Sequence, residues 1–150
     1  MGSRVRVRGL NRNMRQIQKT VDKATLRTMK AAMKDLERVA SETAPFDEGD
    51  LEMGGSHGVN KISDGLEGWV KFEAWNDHPR RSYDFNYAIW IHEETYNLGE
   101  KSKQKSGGRG LSGKSYPVQK KYLTRPHEGE APTYRKMIEQ ETKKSLRSMG

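Results

Sequence analysis

The chain contains no cysteine, so no disulfide stabilises its fold and no thiolate is available for chemistry. It also has no long apolar run, which predicts that no helix spans a membrane, and its basic first ten residues lack the apolar core of a secretion signal. Val, Ile, Leu and Phe make up only 24 of the 150 residues, or 16%. That share is below the roughly 20% at which composition and net charge begin to indicate disorder. We expect a single domain over residues 1–150, with a thin core that is completed against a partner.

Charge is distributed unevenly along the chain. Residues 1–41 have a net charge of +8, residues 42–94 of −8 and residues 95–150 of +8. Such charges pair within one subunit, or between copies in a head-to-tail ring in which each subunit presents one face to its neighbour's other face. The excess positive charge also favours contact with nucleic acid or an acidic protein surface. For any single run of charge, a solvated face is the simpler interpretation.

The strongest secondary-structure signal is a long helix over residues 13–42, where apolar side chains recur every three or four residues. Met29 and Met33 belong to a second, offset apolar line, which makes the apolar face wider than one sheet requires. This face is either one broad core surface or includes a methionine line that contacts a neighbouring subunit, since methionine adapts to irregular surfaces. Pro45 is expected to end the helix, because the residue before a proline disfavours helical backbone.

Shorter features are predicted on both sides of this helix. Residues 4–10 alternate valine with arginine, which indicates a short edge strand that Gly9 closes. Asn11 or Asn13 is then a suitable cap for the helix. Residues 46–65 are rich in glycine and poor in apolar residues, which predicts a long loop with at most one short strand.

Two strands are predicted over residues 66–78 and 82–94, because apolar and polar side chains alternate through both. The turn-forming residues at 76–81 indicate that the two strands form an antiparallel hairpin. Eight of the 12 aromatic residues lie between Trp69 and Tyr96. We therefore expect this sheet to hold most of the buried surface.

A basic segment rich in glycine, residues 97–121, follows, and its composition predicts a flexible loop. Within it, residues 108–115 (GRGLSGKS) match the spelling of a nucleotide-binding P-loop. That motif needs a buried strand before it and a helix after it, whose amides hold the phosphates. Here the preceding residues are polar, and Pro117 breaks a helix within its first turn. We expect no nucleotide site and no cofactor.

The end of the chain is predicted to form a short strand and a helix. The strand is expected at Lys121 to Arg125. The helix is expected from Pro132, since proline suits the first turn of a helix, to about Arg147.

No constellation of catalytic or metal-binding residues stands out. The histidines are scattered, and the cluster at 92–94 (HEE) needs further ligands, because zinc sites use three or four convergent ones. The four acidic residues at 47–52 have nothing around them to desolvate a carboxylate for acid–base catalysis. A solvated loop, or a dock for the Lys and Arg side chains of a neighbour, is favoured. We expect no metal site and no enzymatic activity.

Four short motifs, in this order, carry a family resemblance. They are Val7–Leu10 (VRGL), Ala44–Leu51 (APFDEGDL), Tyr87–Glu93 (YAIWIHE) and Tyr122–Pro126 (YLTRP). Together they resemble the tail-completion, or minor capsid, proteins of long-tailed bacteriophages, which form the neck between head and tail. The resemblance covers most of the chain. Two departures are Glu48, where the family has threonine, and the long insertion at 97–121.

The resemblance implies an α+β fold, with a long N-terminal helix packed on a small antiparallel sheet, a C-terminal helix and a long basic loop. It also implies a homo-oligomeric ring, expected to be hexameric, in the neck of the virion, assembled in the host cytoplasm. Its expected partners are the head-completion or connector proteins and the tail terminator or tail tube proteins. No membrane partner is expected.

Two groups of contact residues follow from this interpretation. The expected contacts between subunits or rings are Met29, Met33, Tyr87, Trp90, Tyr122 and Arg125. The expected mobile contacts to channel DNA or to a neighbouring ring are Lys101, Lys103, Lys105, Arg109 and Lys114. The alternatives are a DNA-binding module without sequence specificity and, less favoured, a P-loop nucleotide-binding protein.

Overall fold

The computed structural model of the chain describes residues 8–45, 54–63, 65–73, 75–76, 85–93 and 97–149. The fold is α+β, as expected: a long N-terminal helix and a C-terminal helix pack together with a small antiparallel sheet. The helices are α1 (Arg8–Thr43), α2 (Tyr87–Glu93), α3 (Glu100–Lys103) and α4 (Thr124–Arg147). The strands are β1 (Gly55–Ile62), β2 (Gly65–Phe72), β3 (Trp75–Asn76), β4 (Phe85–Asn86), β5 (Gly108–Arg109) and β6 (Ser115–Tyr116).

The first helix confirms the prediction and is longer than expected, with 36 residues. It ends at Thr43, two residues before Pro45. It begins at Arg8, so the predicted strand over residues 4–10 is wrong for its last three residues, and residues 1–7 lie outside the described part. Gly9, Asn11 and Asn13 are therefore inside the helix instead of closing a strand or capping. Once a helix is nucleated, each added residue gains a hydrogen bond, which outweighs a short valine–arginine alternation.

Helices α1 and α4 lie antiparallel. The Tyr134 hydroxyl of α4 donates to Asp35 of α1 at 2.7 Å, and Glu141, further along α4, pairs with Arg27, which is nearer the start of α1. Small buried side chains let the elements approach α1 closely. They are Ala24, Thr28, Ala32, Ala40, Thr43 and Ala44.

The core consists of two adjoining clusters along α1. In the first, Phe72 at the end of β2 meets Tyr122 edge-on, with ring centres 5.3 Å apart. In the second, Leu36 of α1 packs with Tyr134 of α4, and Met33 packs against this cluster. The buried tyrosines of the described residues lie at 116, 122 and 134, outside the region from Trp69 to Tyr96. Phe72 and Ala88 are buried within that region, but six of its eight aromatic side chains lie outside the described part. The expectation that its sheet holds most of the buried surface therefore stays a prediction.

The main hairpin pairs β1 with β2, from Gly55 opposite Phe72 to Ile62 opposite Gly65. The predicted strand over 66–78 is confirmed for the residues of β2 and β3, whereas residues 74, 77 and 78 lie outside the described part. The long partner of β2 lies in the predicted loop at 46–65. The hairpin runs along α1 because its glycines permit close contact: a Cβ added at Gly68 would lie 2.8 Å from the Met33 sulfur.

The predicted strand over residues 82–94 is wrong. In the described part of this stretch, residues 85–93, the two residues of β4 are extended and pair with β3, and α2 begins at once. Residues 82–84 and 94 lie outside the described part. Ala88 is buried, and the Tyr122 hydroxyl donates to its carbonyl at 3.0 Å. His92 lies one helical turn later, and its ring meets the Tyr122 ring edge-on at 5.1 Å. This i, i+4 pair on one aromatic ring favours a helix, although the β-branched and aromatic composition is typical of a strand.

The segment 97–121 contains α3 and the short β5–β6 hairpin, where a structureless loop was predicted. The helix predicted from Pro132 begins eight residues earlier, at Thr124, so the predicted strand at Lys121 to Arg125 is also wrong. Pro126, not Pro132, occupies the first turn, where a missing N–H costs nothing.

Candidate subunit-contact surfaces

The N-terminal part of α1 carries an apolar face that the described chain does not bury. Among the α1 side chains that the structure describes, from Met14 onward, the first buried one is Ala24. Before it, Met14 is 58% exposed, and Ile17 and Val21 are only half-buried. These three residues are spaced by three and four and so share one face of the helix. Apolar side chains on one face over almost two turns are typical of an interaction surface.

A groove of about 1410 Å³ lies between this end of α1 and the tip of the β1–β2 hairpin. Its apolar lining includes Leu26 of α1 and, from the hairpin, Ile62 and Leu66; Ile62 is 47% exposed. We call this cleft, between residues 15–26 of α1 and residues 61–66, the groove. It lies at the far end of the hairpin from Gly55, whose backbone lies beside Glu37.

The walls of the groove are basic. Arg15, Lys19 and Lys23 line it from α1, and Lys61 lines it from the hairpin. Asp22 is the one acidic residue of the lining that the structure gives. The described lining residues therefore have a net charge of +3 around an apolar floor, which suits an acidic ligand with apolar side chains.

The predicted subunit contacts are only partly at the surface. Met29 and Met33 are half-buried, and Met33 lies under the hairpin at Gly68. Tyr122 is 2% exposed and belongs to the core, so its side chain is an internal packing residue and not a surface contact. The side chains of Tyr87 and Trp90 lie outside the described part.

Arg125 was predicted to contact a neighbour, but it organises the chain before α4. Its guanidinium donates to the carbonyls of Pro117 at 2.9 Å, Lys120 at 3.0 Å and Gln119 at 3.3 Å. These bonds fix the turn that leads into α4, where Lys121 has a positive φ of 58°. The guanidinium N–H groups that donate to these three carbonyls are therefore not available to a partner protein.

Among the five predicted mobile basic contacts, Lys103, Lys105 and Lys114 make identified contacts within the chain. Lys105 donates to the carbonyls of Ser41 at 3.2 Å and Ala44 at 2.6 Å, at the end of α1. It therefore caps the C-terminal carbonyls of α1, where a cation is favoured by the helix dipole. Lys103 pairs with Glu100, and Lys114 donates to the Gly129 carbonyl, both at 3.3 Å. The side chains of Lys101 and Arg109 are exposed.

The residues that match a P-loop form a β-hairpin. Strand β5 contains Gly108 and Arg109, the turn follows, and β6 begins at Ser115. No helix follows Ser115, and its place is taken by β6. The amides of this turn also have acceptors: the Ser112 N–H donates to Glu130 at 3.0 Å. This is not the strand–loop–helix arrangement that holds phosphate groups.

Two buried carboxylates hold this hairpin against both long helices. Glu130 of α4 is fully buried and accepts from the amide and hydroxyl of Ser112 and, at 2.9 Å, from the Tyr116 hydroxyl. Asp35 of α1 accepts from the Tyr134 hydroxyl and, at 3.3 Å, from the Leu111 amide. We call these two carboxylates and their donors the clamp. The clamp stabilises burial of the carboxylates because charge-assisted hydrogen bonds replace their water.

The clamp changes the proton affinity of its own members. Burial first, and then the hydrogen bond to Glu130, raises the pKa of Tyr116 to about 12. Burial and the bond to Asp35 raise the pKa of Tyr134 still further. Arg38 closes the clamp on the solvent side, since it bonds to Asp35 at 2.6 Å and to the carbonyl of Arg109 at 2.8 Å. The bond to Asp35 raises the pKa of Arg38.

The predicted polar cluster at 92–94 joins α2 to the start of α4. The Thr124 amide donates to Nε2 of His92 at 3.4 Å, and Nδ1 of His92 lies 2.8 Å from Glu93. Glu93 also pairs with Lys121, which, together with His92, lowers the pKa of Glu93. An imidazole that accepts at the first residue of a helix satisfies an otherwise unpaired amide. These contacts give His92 a structural role.

In the part of the chain that the structure describes, no three His, Asp or Glu side chains converge as metal ligands would. Nor is any described helix long and apolar enough to cross a membrane. Comparison of the chain with protein-family models, with curated proteins and with solved structures finds no match.

The clamp carboxylates are the structured polar residues that the sequence analysis missed. Asp35 sits between Ala32 and Leu36 on the apolar face of α1, and Glu130 lies four residues from both Pro126 and Tyr134, on the buried face of α4. A carboxylate that falls on an apolar helical face is a signal for a buried hydrogen-bonded group.

Proposed function

We propose that the protein is a non-enzymatic structural subunit of a bacteriophage neck, which assembles with copies of itself into a ring between head and tail. The observation that carries the proposal is the uncovered apolar face at the start of α1. Among the described side chains of that helix, Met14, Ile17 and Val21 precede the first buried one, Ala24. A helix with an unburied apolar face gains stability when another subunit covers it.

Three further features support a ring-forming role. The α+β architecture is the one that the resemblance implies, with a long helix on a small antiparallel sheet and a second helix at the end. Charge is segregated into basic, acidic and basic thirds, which suits head-to-tail contacts. The side chains of the polar cluster around His92 and of the clamp make hydrogen bonds within the chain, and these bonds give both groups a structural role.

The ring is proposed to occupy the virion neck, in contact with connector proteins on one side and tail proteins on the other. Deletion of the reading frame from the genome that encodes the chain tests this. The expected result is DNA-filled heads and complete tails that fail to join, with joining restored when the purified protein is added. Infectious particles with firmly attached tails, made without the protein, would contradict the proposal.

A DNA-binding module is the second candidate, and the exposed side chains of Lys101 and Arg109 favour it. The two candidates differ in their response to salt and to duplex sequence. A DNA-binding module loses affinity for duplex steeply as salt rises, because phosphate contacts release counterions. A neck subunit that only lines a channel shows weak duplex binding without sequence preference, and its assembly does not require DNA.

A further inference from the structure

We propose that the groove is the docking site for the acidic segment 46–53 of a second copy of this chain. This inference rests on the proposed ring, and it names the two surfaces that meet. The described lining of the groove combines a net charge of +3 with an apolar floor formed by Leu26, Ile62 and Leu66. The segment 46–53 (FDEGDLEM) has four acidic residues, no basic residue and three apolar residues: Phe46, Leu51 and Met53.

The match between the two surfaces is one of charge and of apolar content. No stretch of eight residues elsewhere in the sequence is as acidic as 46–53. Apolar and acidic side chains also alternate at its end, from Asp50 to Met53, so one side of an extended segment would meet the floor while the other meets the walls. Duplex DNA fits the groove less well, because it offers no apolar side chain for Ile62, which is 47% exposed.

The segment cannot reach the groove of its own subunit. The segment is joined to Pro45 after α1 and to Gly54 before β1. The chain between these two residues has nine peptide steps and is at most about 32 Å long, and it must extend away from Pro45 and come back to Gly54 within that length. Its maximum excursion is therefore about 16 Å. Leu26, the nearest groove residue on α1, is about 27 Å along the helix from Ala44, and Lys61 is about 20 Å along β1 from Gly55.

Docking between copies is consequently head-to-tail. Each subunit presents its groove to one neighbour and its segment 46–53 to the other, so the same contact repeats around the assembly. A heterologous contact of this kind closes into a ring when the rotation between neighbours divides a full turn, and forms a filament otherwise.

The first experiment exchanges charges across the proposed contact. The groove variant carries Lys19→Glu and Lys23→Glu, both at exposed positions, and the segment variant carries Asp47→Lys, Glu48→Lys and Asp50→Lys. These changes reverse both surfaces: the described groove lining goes from a net charge of +3 to −1, and the segment goes from −4 to +2. We expect each variant alone to need at least ten times more protein for half-assembly, measured by sedimentation and native mass spectrometry. Mixed in equal amounts, the two variants are expected to assemble within threefold of the unmodified chain. In the mixture each acidic groove meets a basic segment, and each unmodified basic groove meets an unmodified acidic segment.

The matched control is Lys30→Glu with Lys34→Glu, which makes the same charge change at exposed positions of α1 outside the groove. This control is expected to assemble as the unmodified chain does. If it loses assembly as strongly as the groove variant, or if mixing restores nothing, the contact is not the one proposed. Loss of duplex binding in the groove variant and not in the control, with assembly unchanged in both, would identify the groove as a nucleic-acid surface instead.

A second experiment uses the absence of native cysteine. Leu51→Cys and Ile62→Cys are introduced in separate chains, which are mixed and oxidised. A disulfide-linked dimer is expected from this pair, and not when Glu67→Cys, an exposed position on β2, replaces Ile62→Cys. In one chain that carries both changes, the expected product is a covalent ladder, whereas an intramolecular disulfide alone would overturn the inference.

The failure of this inference is distinguishable from failure of the neck proposal. Rings that form normally with either reversed surface would overturn the docking site and leave the neck proposal standing. A chain that stays monomeric at every concentration, with and without its neck partners, would overturn both. Assembly through the groove, in particles that remain infectious without the protein, would overturn only the neck function.

Discussion

The Tyr134 hydroxyl donates a 2.7 Å hydrogen bond to Asp35, although the two residues are 99 positions apart in the sequence. The bond joins α4 to α1 inside the protein, and the Leu111 amide donates to the same carboxylate. Glu130 makes the equivalent contacts from α4, to Ser112 and Tyr116. The clamp thereby ties three distant stretches of a chain whose apolar core is small. In such a chain, polar contacts carry an unusual share of the specificity of folding.

Replacement of Gly110 by alanine is expected to destabilise the protein by about 2 kcal/mol or more, because a Cβ there overlaps the buried Glu130 carboxylate. Gly99→Ala is the matched control, since a Cβ at Gly99 meets nothing within 4 Å. Urea unfolding of both variants measures the difference. Equal stability of the two variants would show that the hairpin does not lie against Glu130.

Alkaline pH is expected to destabilise the fold through Tyr116 and Tyr134. Their folded-state pKa values are raised, that of Tyr116 to about 12, whereas an unfolded tyrosine titrates near 10. Their stabilisation is therefore complete below about pH 10 and is lost as pH rises through the folded pKa values. Urea unfolding of the unmodified chain and of Tyr116→Phe, from pH 8 to 11.5, tests this. Above pH 10, the free energy of unfolding is expected to fall less steeply for the variant than for the unmodified chain, by up to about 1.4 kcal/mol per pH unit. Identical slopes would contradict the clamp.

Thr43→Val is expected to leave stability unchanged or raise it by about 1 kcal/mol. The Thr43 hydroxyl is buried and has no hydrogen-bond partner among the described residues, and an unsatisfied polar group costs about 1–3 kcal/mol. Valine keeps the shape and removes that cost. Thermal unfolding of the variant checks the sign, and a loss above 1 kcal/mol would mean that the hydroxyl has a partner.

Lys105→Ala is expected to cost about 0.5–1 kcal/mol, because the ammonium group caps the last carbonyls of α1. Lys30→Ala, at an exposed position in the same helix, is the control and is expected to be nearly neutral. Amide hydrogen exchange in the last turn of α1 adds a local measurement. Faster exchange is expected there for Lys105→Ala and not for Lys30→Ala. Unchanged exchange would support the original expectation of a mobile basic contact.

Periodicity was sufficient to predict the long helix, and the family resemblance implied the α+β fold class that the structure has. The apolar positions of 13–42 repeat over many turns, and Pro45 marks the end. The same reasoning failed at 82–94, where the alternation covers too few residues to outweigh packing of Ala88 and His92 on Tyr122. Local patterns decide long elements, whereas tertiary contacts decide short ones.

Composition misled the prediction for 97–121. Glycine and lysine there indicated a loop without structure, but the glycines serve close packing. A Cβ at Gly108 would lie 2.6 Å from the Val39 carbonyl of α1, and Gly107 and Gly113 have positive φ angles. Glycine that permits flexibility and glycine that permits contact look the same in a sequence. The long-range partner that distinguishes them, here α1, is visible only in the fold.

The most direct measurement of the central claim is amide hydrogen exchange of the N-terminal part of α1, in the free chain and in the assembled ring. In the free chain, residues 14–23 carry no buried side chain, so we predict rapid exchange from fraying. In the ring, at least tenfold slower exchange is predicted for these residues, while the α1 residues around Asp35 stay unchanged. Rings in which residues 14–23 exchange as fast as in the free chain would contradict the claim that assembly covers this face.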